Sequence, residues 1–377
     1  MRIGIPRETR SDETRVAATP DVVRKYVERG AEVVVETGAG ARATFDDESY
    51  RSAGAAIADG STAWSTDLVL KVQPPTAAEA DRLASGATIV SFLYPESDPG
   101  AFAALERKGV TALAMESVPR IARAQKMDAL SSTANLAGYK AVLEAANAFG
   151  RFFPLLMTAA GTIPPAHVLV IGAGVAGLSA IVTAKRLGAV VRAFDPRPAV
   201  KEQVQSLGAR FLDLPLEAGE TAGGYAAAQS EEFLRMEREL LAAQLDEVDI
   251  VITTALIRGR PAPVLITDEM LAVMKPGSVV VDLAVEQGGN CEGSRRDEVV
   301  NVHGVTLIGW SNVAARVPVH ASTLYARNVQ HLVSHLWKDA GLAFDFGDEI
   351  VSGTTILHRG RDRRRESAEP VAAGGGV

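Results

Sequence analysis

The chain has 377 residues, 47% of them hydrophobic, with a formal charge of -7 and one cysteine. That length points to two domains, and the acidic balance excludes a nucleic-acid partner, whose phosphates call for clustered Lys and Arg. A lone Cys291 excludes an internal disulfide and suits a reducing compartment, while the lack of any apolar run of about 18 residues excludes insertion into a bilayer.

The opening Met1-Arg-Ile-Gly-Ile-Pro6 reads as a strand rather than a signal peptide. Strands are expected at Arg2–Ile5, Glu32–Val35, Leu68–Val72, Thr88–Phe92 and Thr111–Met115, alternating with helices as in βα units. Between the first two, Thr19 is a candidate N-cap, Pro20 suits a first turn and Gly30 a helix end. Pro99–Lys108 repeats that logic, closing at Gly109. A long Ala-rich helix from Asp128 to Phe149 is expected to bridge two domains. A second series follows: His167–Ile171, Val190–Phe194, Arg210–Leu212, Asp249–Thr253, Ser278–Asp282 and Val305–Ile308. A helix from about Ala314 to Trp337 then carries the chain back, and Thr354–Leu357 adds a strand there. The expected fold is α/β: two Rossmann-like, doubly wound parallel-sheet domains joined by long helices, with a cleft between them. The first domain takes residues 1–130 and 328–358, the Rossmann domain 131–327, and 359–377 a disordered tail whose Arg359–Arg365 cluster reads as a solvated end. Pro215–Ser230, rich in Gly, Ala and Glu, reads either as a floppy insertion or as a flap carrying Gly224 and Tyr225 over a ligand.

Gly172-Ala-Gly-Val-Ala-Gly177 fits G-x-G-x-x-G, follows the strand His167–Ile171 and opens a helix. The acid Asp195 ends the next strand, about 20 residues on, as a dinucleotide site requires. Gly172 permits the tight turn, Gly174 lets backbone approach a pyrophosphate, and Gly177 allows close helix–strand packing. The helix N-terminus offers N–H groups and its dipole to the phosphates. Asp195 is expected to accept from the adenosine ribose hydroxyls and to repel a 2′-phosphate, which favours NAD(H) over NADP(H). Arg192 and Arg197 are the residues that stand against that preference. The other expected nucleotide contacts are Val175, Pro196, Arg197 and Leu256, the last in the turn after Thr253.

The segment Val118–Ser132 carries Arg120, Arg123, Gln125, Asp128 and Ser131 between the first domain's last strand and the bridging helix. Such a position lines a cleft in two-domain α/β enzymes; Asp128 or Ser131 equally suits a plain N-cap. The histidines are scattered, so no metal set is expected. Cys291 reads as a buried loop residue, and Trp310 and Tyr325 as packing residues.

Taken in order, Arg2–Pro6, Glu13-Thr-Arg-Val-Ala-Ala-Thr-Pro20, Leu70-Lys-Val72, Pro119–Ser132, Gly172–Gly177, Arg192-Ala-Phe-Asp195 and Asp282 with Gly288-Gly-Asn-Cys291 resemble one family. It is the NAD(H)-binding component (domain I, alpha subunit) of proton-translocating NAD(P) transhydrogenases, related to alanine dehydrogenases. The resemblance implies that Arg120, Gln125 and Asp128, with Ser131 beside them, hold the nicotinamide carboxamide. Hydride then passes to NADP(H) on a partner subunit with no acid, base or metal, so these three are the catalytic residues by alignment. It further implies a flap around Tyr225, a homodimer, membrane-spanning and NADP(H)-binding partner subunits, and a cytoplasmic chain held peripherally at the membrane through them. An alanine dehydrogenase is the competing enzyme reading. Arg15 and Lys71 match that family's substrate-binding residues and Glu286 its aspartate, but Tyr94 stands at its catalytic histidine. A phenol with a pKa of about 10 is a poor base at neutral pH. A non-catalytic NAD(H) sensor is the third reading.

Overall fold

The computed structural model describes residues 1–214, 231–257, 260–339 and 341–366. The chain divides into two compact units, Met1–Thr133 with Pro318 onward, and Ala134–Val317.

In the first unit, strands β1 (Arg2–Ile5), β2 (Glu32–Glu36), β3 (Ala56–Ala58), β4 (Leu68–Leu70), β5 (Thr88–Ser91) and β6 (Thr111–Ala114) are all parallel. Their order is 6-5-4-1-2-3, with Thr355–His358 added antiparallel to β6 and Arg361–Asp362 beyond it. Central strands such as Leu68-Val-Leu70 are buried on both faces, which is why they read as unbroken apolar runs. Chain direction across the sheet reverses at β1, so the segments after β1 and β4 meet at its carboxyl edge. The helix Pro20–Glu28 buries Val22, Val23 and Tyr26. Thr19 sits at its N-cap with extended backbone, yet its side chain makes no capping bond.

The returning helix runs Pro318–Leu336 rather than from Ala314. Pro318 cannot continue a helix from before it, and Val317 is driven out of helical backbone (φ -126°, ψ 59°). Residues Val313–Arg316 form a separate 3₁₀ turn. The helix buries Ala321, Tyr325, Val329, Leu332 and Leu336 against Ile3, Ile5 and Val23. Because this stripe starts in its first turn, the chain re-enters the first unit at Pro318, not at Asn328.

In the second unit a short hairpin, β7 (Leu156–Thr158) and β8 (Gly161–Ile163), precedes the main sheet. That sheet holds β9 (His167–Ile171), β10 (Val190–Phe194), β11 (Arg210–Phe211), β12 (Ile250–Thr253), β13 (Val279–Asp282), β14 (Val299–Val302) and β15 (Val305–Ile308). The order is 11-10-9-12-13-15-14, parallel except for β14 against β15. Strands β3, β7, β8 and β14 are absent from the sequence expectation because they are short or lie at edges, and lack a continuous apolar run. The signal for β14 was present: His303 (φ 52°) and Gly304 (φ 83°) form a two-residue turn with both residues left-handed, the geometry that joins twisted antiparallel strands.

The bridging helix spans Ala129–Ala148, and the unit division falls within it. The tail is ordered further than expected. Arg361–Asp362 pairs with Thr355–His358, Arg363–Glu366 is helical, and Arg364 binds Asp362 (2.9 Å) and Glu96 (2.6 Å). Pro215–Ser230, with Gly224 and Tyr225, and residues 367–377 lie outside the described residues.

Leu332 is fully buried in the first core. Leu332→Ala is expected to cost about 2–5 kcal/mol of stability. Urea unfolding checks this: the midpoint falls while the slope stays constant.

Candidate nucleotide site

Strand β9 is buried from Val168 to Ile171 and delivers the chain to Gly172 at the carboxyl edge. Gly172 has φ +92°, a left-handed conformation open to glycine, and a Cβ there would lie 2.5 Å from Thr254 Oγ1. That hydroxyl donates to Gly172 O (3.0 Å). A Cβ on Gly177 would lie 1.8 Å from Gly172 O, so helix Val175–Arg186 rests directly on the turn. Gly174 differs: a Cβ on it would meet nothing within 4 Å. No side chain caps this helix, and first-turn N–H groups have no intrahelical acceptor. The turn therefore combines two glycines that the fold requires with a third that opens onto space beside uncapped N–H groups. This is the shape and donor set a pyrophosphate needs, and the residues present fit a dinucleotide.

The bridging helix supports this turn from behind. A Cβ on Gly138 would come within 1.9 Å of Ala176 O, and Ser179 Oγ donates to Asn135 O (2.7 Å). Gly138 is a positional requirement that the Ala-rich composition conceals.

Asp195, 5% exposed, ends β10 and accepts from Ala173 N (2.7 Å), so it ties the second strand to the glycine turn. Its remaining acceptor positions are taken by Arg197, through N (2.9 Å), Nε (2.8 Å) and Nη2 (2.9 Å). The carboxylate expected to face ribose hydroxyls is thus held by a cation two residues away. A ribose would have to take over donor positions that Arg197 fills. Arg192 is engaged elsewhere, by Gln244 (2.8 Å) and Glu247.

Across β9, the turn after β12 is braced by a buried polar set. Asp282 accepts from Thr253 Oγ1 (3.0 Å), Ala284 N (3.0 Å), Asn290 N (2.9 Å) and Cys291 N (3.1 Å). Asn290 in turn bonds Ala255 N (3.0 Å) and Ala255 O (2.9 Å). Gly289 takes φ +87°, and a Cβ there would meet Asp282 Oδ2 at 2.8 Å. This brace leaves Leu256 exposed (39%). Burial and the Asp282 charge push the Cys291 thiol up to about 12, so it is no nucleophile near neutral pH.

One acid escaped the sequence reading. Glu237, 5% exposed, belongs to the buried stripe Phe233–Glu237–Leu241–Leu245 of helix Glu231–Leu245. Burial chiefly, and the Asp195 charge secondarily, push its carboxyl up to about 7. A glutamate at a core position of an apolar stripe was the available signal.

In the first unit, Arg120, Arg123 and Gln125 are exposed on a segment anchored by buried Ala124 and Met127. Asn328 Nδ2 fixes it further by donating to Lys126 O (2.9 Å). Arg123 pairs with Asp348 (3.1 Å) and Glu349 (3.7 Å), so its guanidinium is committed within its own unit. Asp128 caps the bridging helix, accepting from Ser131 N (2.9 Å) and Ser131 Oγ (2.5 Å). The plain N-cap reading of Asp128 is therefore realised, and Asp128 and Ser131 act as one bonded pair.

The Arg15 and Lys71 charges are buried and paired. Arg15 binds Glu13 (2.7 Å), and Lys71 binds Glu8 (2.6 Å) with Glu79 at 3.6 Å. Although burial alone would raise the Glu13 carboxyl, Arg15 and Gln73 hold it down at about 2. Tyr94 is left-handed (φ 38°) and 42% exposed. Its N–H donates to the buried Glu116 carboxylate (2.7 Å), and its carbonyl accepts from Ser97 N (2.8 Å) and Ser97 Oγ (2.7 Å). Glu286 is exposed and lies 3.7 Å from Arg296.

The family models for the alanine dehydrogenase/PNT N-terminal and C-terminal domains match residues 4–137 and 141–364. The chain is 50% identical over 372 residues to the first chain of the NAD(P) transhydrogenase subunit alpha of Rhodospirillum rubrum, covering 96% of this chain and 97% of that one. To the NAD(P) transhydrogenase subunit alpha of Haemophilus influenzae it is 49% identical over 366 residues, covering 96% of this chain and 72% of that one. Identity to the alanine dehydrogenase of Mycobacterium tuberculosis is 33% over 354 residues, with 90% of each chain covered. Among solved structures, the transhydrogenase from Sinorhizobium meliloti superposes with a TM-score of 0.87 at 46% identity, covering 96% of this chain and all (100%) of that one. An L-alanine dehydrogenase gives 0.79 at 27%, with 96% of each covered. Two-unit architecture, glycine turn and full-length similarity agree: this chain belongs to the alanine dehydrogenase/PNT family and is more similar to these transhydrogenase alpha subunits than to these alanine dehydrogenases.

Proposed function

We propose that the chain is the NAD(H)-binding subunit of a proton-translocating NAD(P)+ transhydrogenase, serving hydride transfer from NADH to NADP+ held on another subunit. The observation that carries the reading is the glycine turn. Gly172 and Gly177 permit no side chain, Gly174 opens onto free space, and Asp195 ends the neighbouring strand. Bound NADH supplies the hydride. Everything else is done by the chain's own residues. Gly172, Gly174, Val175 and Gly177 hold the pyrophosphate at the helix N-terminus. Asp195, with Pro196 and Arg197, takes the adenosine ribose, and its negative charge selects against a 2′-phosphate. Arg192 does not offset that selection, being bound to Gln244 and Glu247. Leu256 contributes apolar contact.

Arg120, Gln125 and Asp128, with Ser131, orient the nicotinamide carboxamide. Arg123 supports that segment through Asp348. Gly224 and Tyr225 serve as a flap. No proton of a small organic substrate moves, so alignment is the chief catalytic contribution. Tyr94 favours this over amino-acid chemistry, because its phenol replaces the histidine base that an alanine dehydrogenase needs.

Among the described residues no helix is long and apolar enough to cross a membrane. Proton passage and the NADP(H) site are assigned to partner subunits, to which the chain docks peripherally from the cytoplasm. The chain acts as a homodimer. The exposed apolar residues around the β7–β8 hairpin, Phe152 (47%), Leu155 (55%), Met157 (73%) and Ile163 (46%), supply a surface for a second copy.

Arg120→Ala and Gln125→Ala are each expected to lower hydride exchange with an added NADP(H)-binding subunit by about 100-fold, the scale of lost alignment. NADH binding to the isolated chain should change far less. Stopped-flow absorbance with an NAD analogue measures the first, and NADH fluorescence the second. Reduction of pyruvate with ammonia by the isolated chain would overturn the proposal in favour of an alanine dehydrogenase. Nucleotide binding without exchange would favour a sensor. For the dimer, Met157→Asp is expected to shift the sedimentation coefficient to that of a monomer, with helix content unchanged by circular dichroism.

A further inference from the structure

Helix Glu231–Leu245 leads into β12, and in a right-handed crossover onto a parallel sheet it runs antiparallel to the strands. Its first turns therefore lie at the carboxyl edge, where the glycine turn and Asp195 are. Leu241 and Leu245 pack with Leu169, Ile171 and Phe194. Glu237, one turn nearer the helix start on the same face, continues that stripe toward Asp195, the residue after Phe194. Both acids are 5% exposed. The charges acting on Glu237 are Arg238 of its own helix and Asp195 from the turn after β10. Arg197 is bound to Asp195 and Lys201 to Asp213 (2.6 Å), so the nearest basic groups of that turn are directed to other carboxylates.

A dinucleotide bound at this turn brings its pyrophosphate charge and excludes water. Both effects disfavour a second anion beside Asp195. We propose that Glu237 is a second carboxyl of the nucleotide site that must carry its proton when the nucleotide is bound, so that binding takes up a proton. This rests on the nucleotide-site reading above. Asp195 stays the anionic acceptor, and Glu237 is its neutral neighbour. Because burial already brings its titration to about 7 in the free protein, the effect falls within the physiological range.

The sign follows from linkage: the complex binds more protons than the free chain, so affinity falls as pH rises. The test is NADH titration of the full chain, by fluorescence and by calorimetry in buffers of different ionisation enthalpy. Wild-type affinity is expected to be about 10- to 30-fold weaker at about pH 8.5 than at about pH 6, the loss set by titration near neutrality. Near the upper pH about one proton should be taken up per NADH bound. Glu237→Gln, neutral at every pH, should bind with flat affinity close to the wild-type acidic value and without proton uptake. A flat wild-type profile, or an undiminished slope in Glu237→Gln, overturns the role of Glu237 alone. Absence of NADH binding at both pH values overturns the site reading itself, and this proposal with it.

Discussion

The contact between Gly177 and the Gly172 carbonyl governs the second unit. A single added carbon would sit 1.8 Å from that oxygen, well inside any van der Waals separation. Because none is there, the helix Val175–Arg186 starts directly on the end of β9, and its first N–H groups lie where the strand stops. Thr254 closes the turn from the β12 side, and Asp195 binds Ala173 N from the β10 side. Three neighbouring strands thus converge on one turn, each by a single polar link. On the far side, the close approach of Gly138 to Ala176 O limits what the bridging helix can carry there. A binding turn braced this way needs little reorganisation when a ligand arrives, so less of the interaction energy is lost to ordering.

Charge placement separates the two units. In the first, Arg15 with Glu13 and Lys71 with Glu8 are buried pairs in close geometry. The lowered Glu13 carboxyl contributes stability above the ordinary glutamate range, and that contribution disappears as pH falls toward about 2. Such pairs are weak evidence of net stabilisation, since desolvation offsets attraction, but breaking one strands the other charge. In the second unit the balance is uneven, because Asp195 and Glu237 are both buried and Arg197 is bound to the first. A raised glutamate works in the opposite sense to Glu13: its contribution to stability is present at low pH and lost as pH rises through about 7. The first unit is built to keep its carboxylates ionised, whereas the second holds one acid close to neutrality.

Much of this was readable from the residues. His167–Ile171, the glycine turn and Asp195 form a local pattern of apolar strand, tight turn and helix, and local patterns survive translation into structure. Cys291 lay where its surroundings suggested, buried in a loop. What failed to show was set at long range. Nothing near Arg123 announces Asp348 and Glu349, which return with the final stretch of the chain. Nothing in Arg-Pro-Arg197 shows that the guanidinium folds back onto Asp195. The start of the final helix at Pro318 was readable from the proline, but the apolar periodicity running across Val313–Arg316 masked it. Edge strands such as β14 alternate in exposure and hide among loops, although the His303-Gly304 turn betrayed this one.

Tyr94 joins backbone strain to the choice of chemistry. A bulky residue in left-handed backbone is costly, and such conformations persist only where the surroundings fix them. Here Glu116 holds the Tyr94 N–H and Ser97 holds its carbonyl, so both peptide groups are pinned. The ring stacks on Phe92 at 5.8 Å between centroids and remains partly exposed. At the position where amino-acid oxidation needs a titratable imidazole, the fold maintains a strained turn that presents an aromatic face. A ring that titrates only at high pH cannot shuttle protons near neutrality, but it offers a flat apolar surface. Together with a segment whose exposed Arg120 and Gln125 are carried on buried Ala124 and Met127, this chemistry favours holding a planar group in place over moving protons.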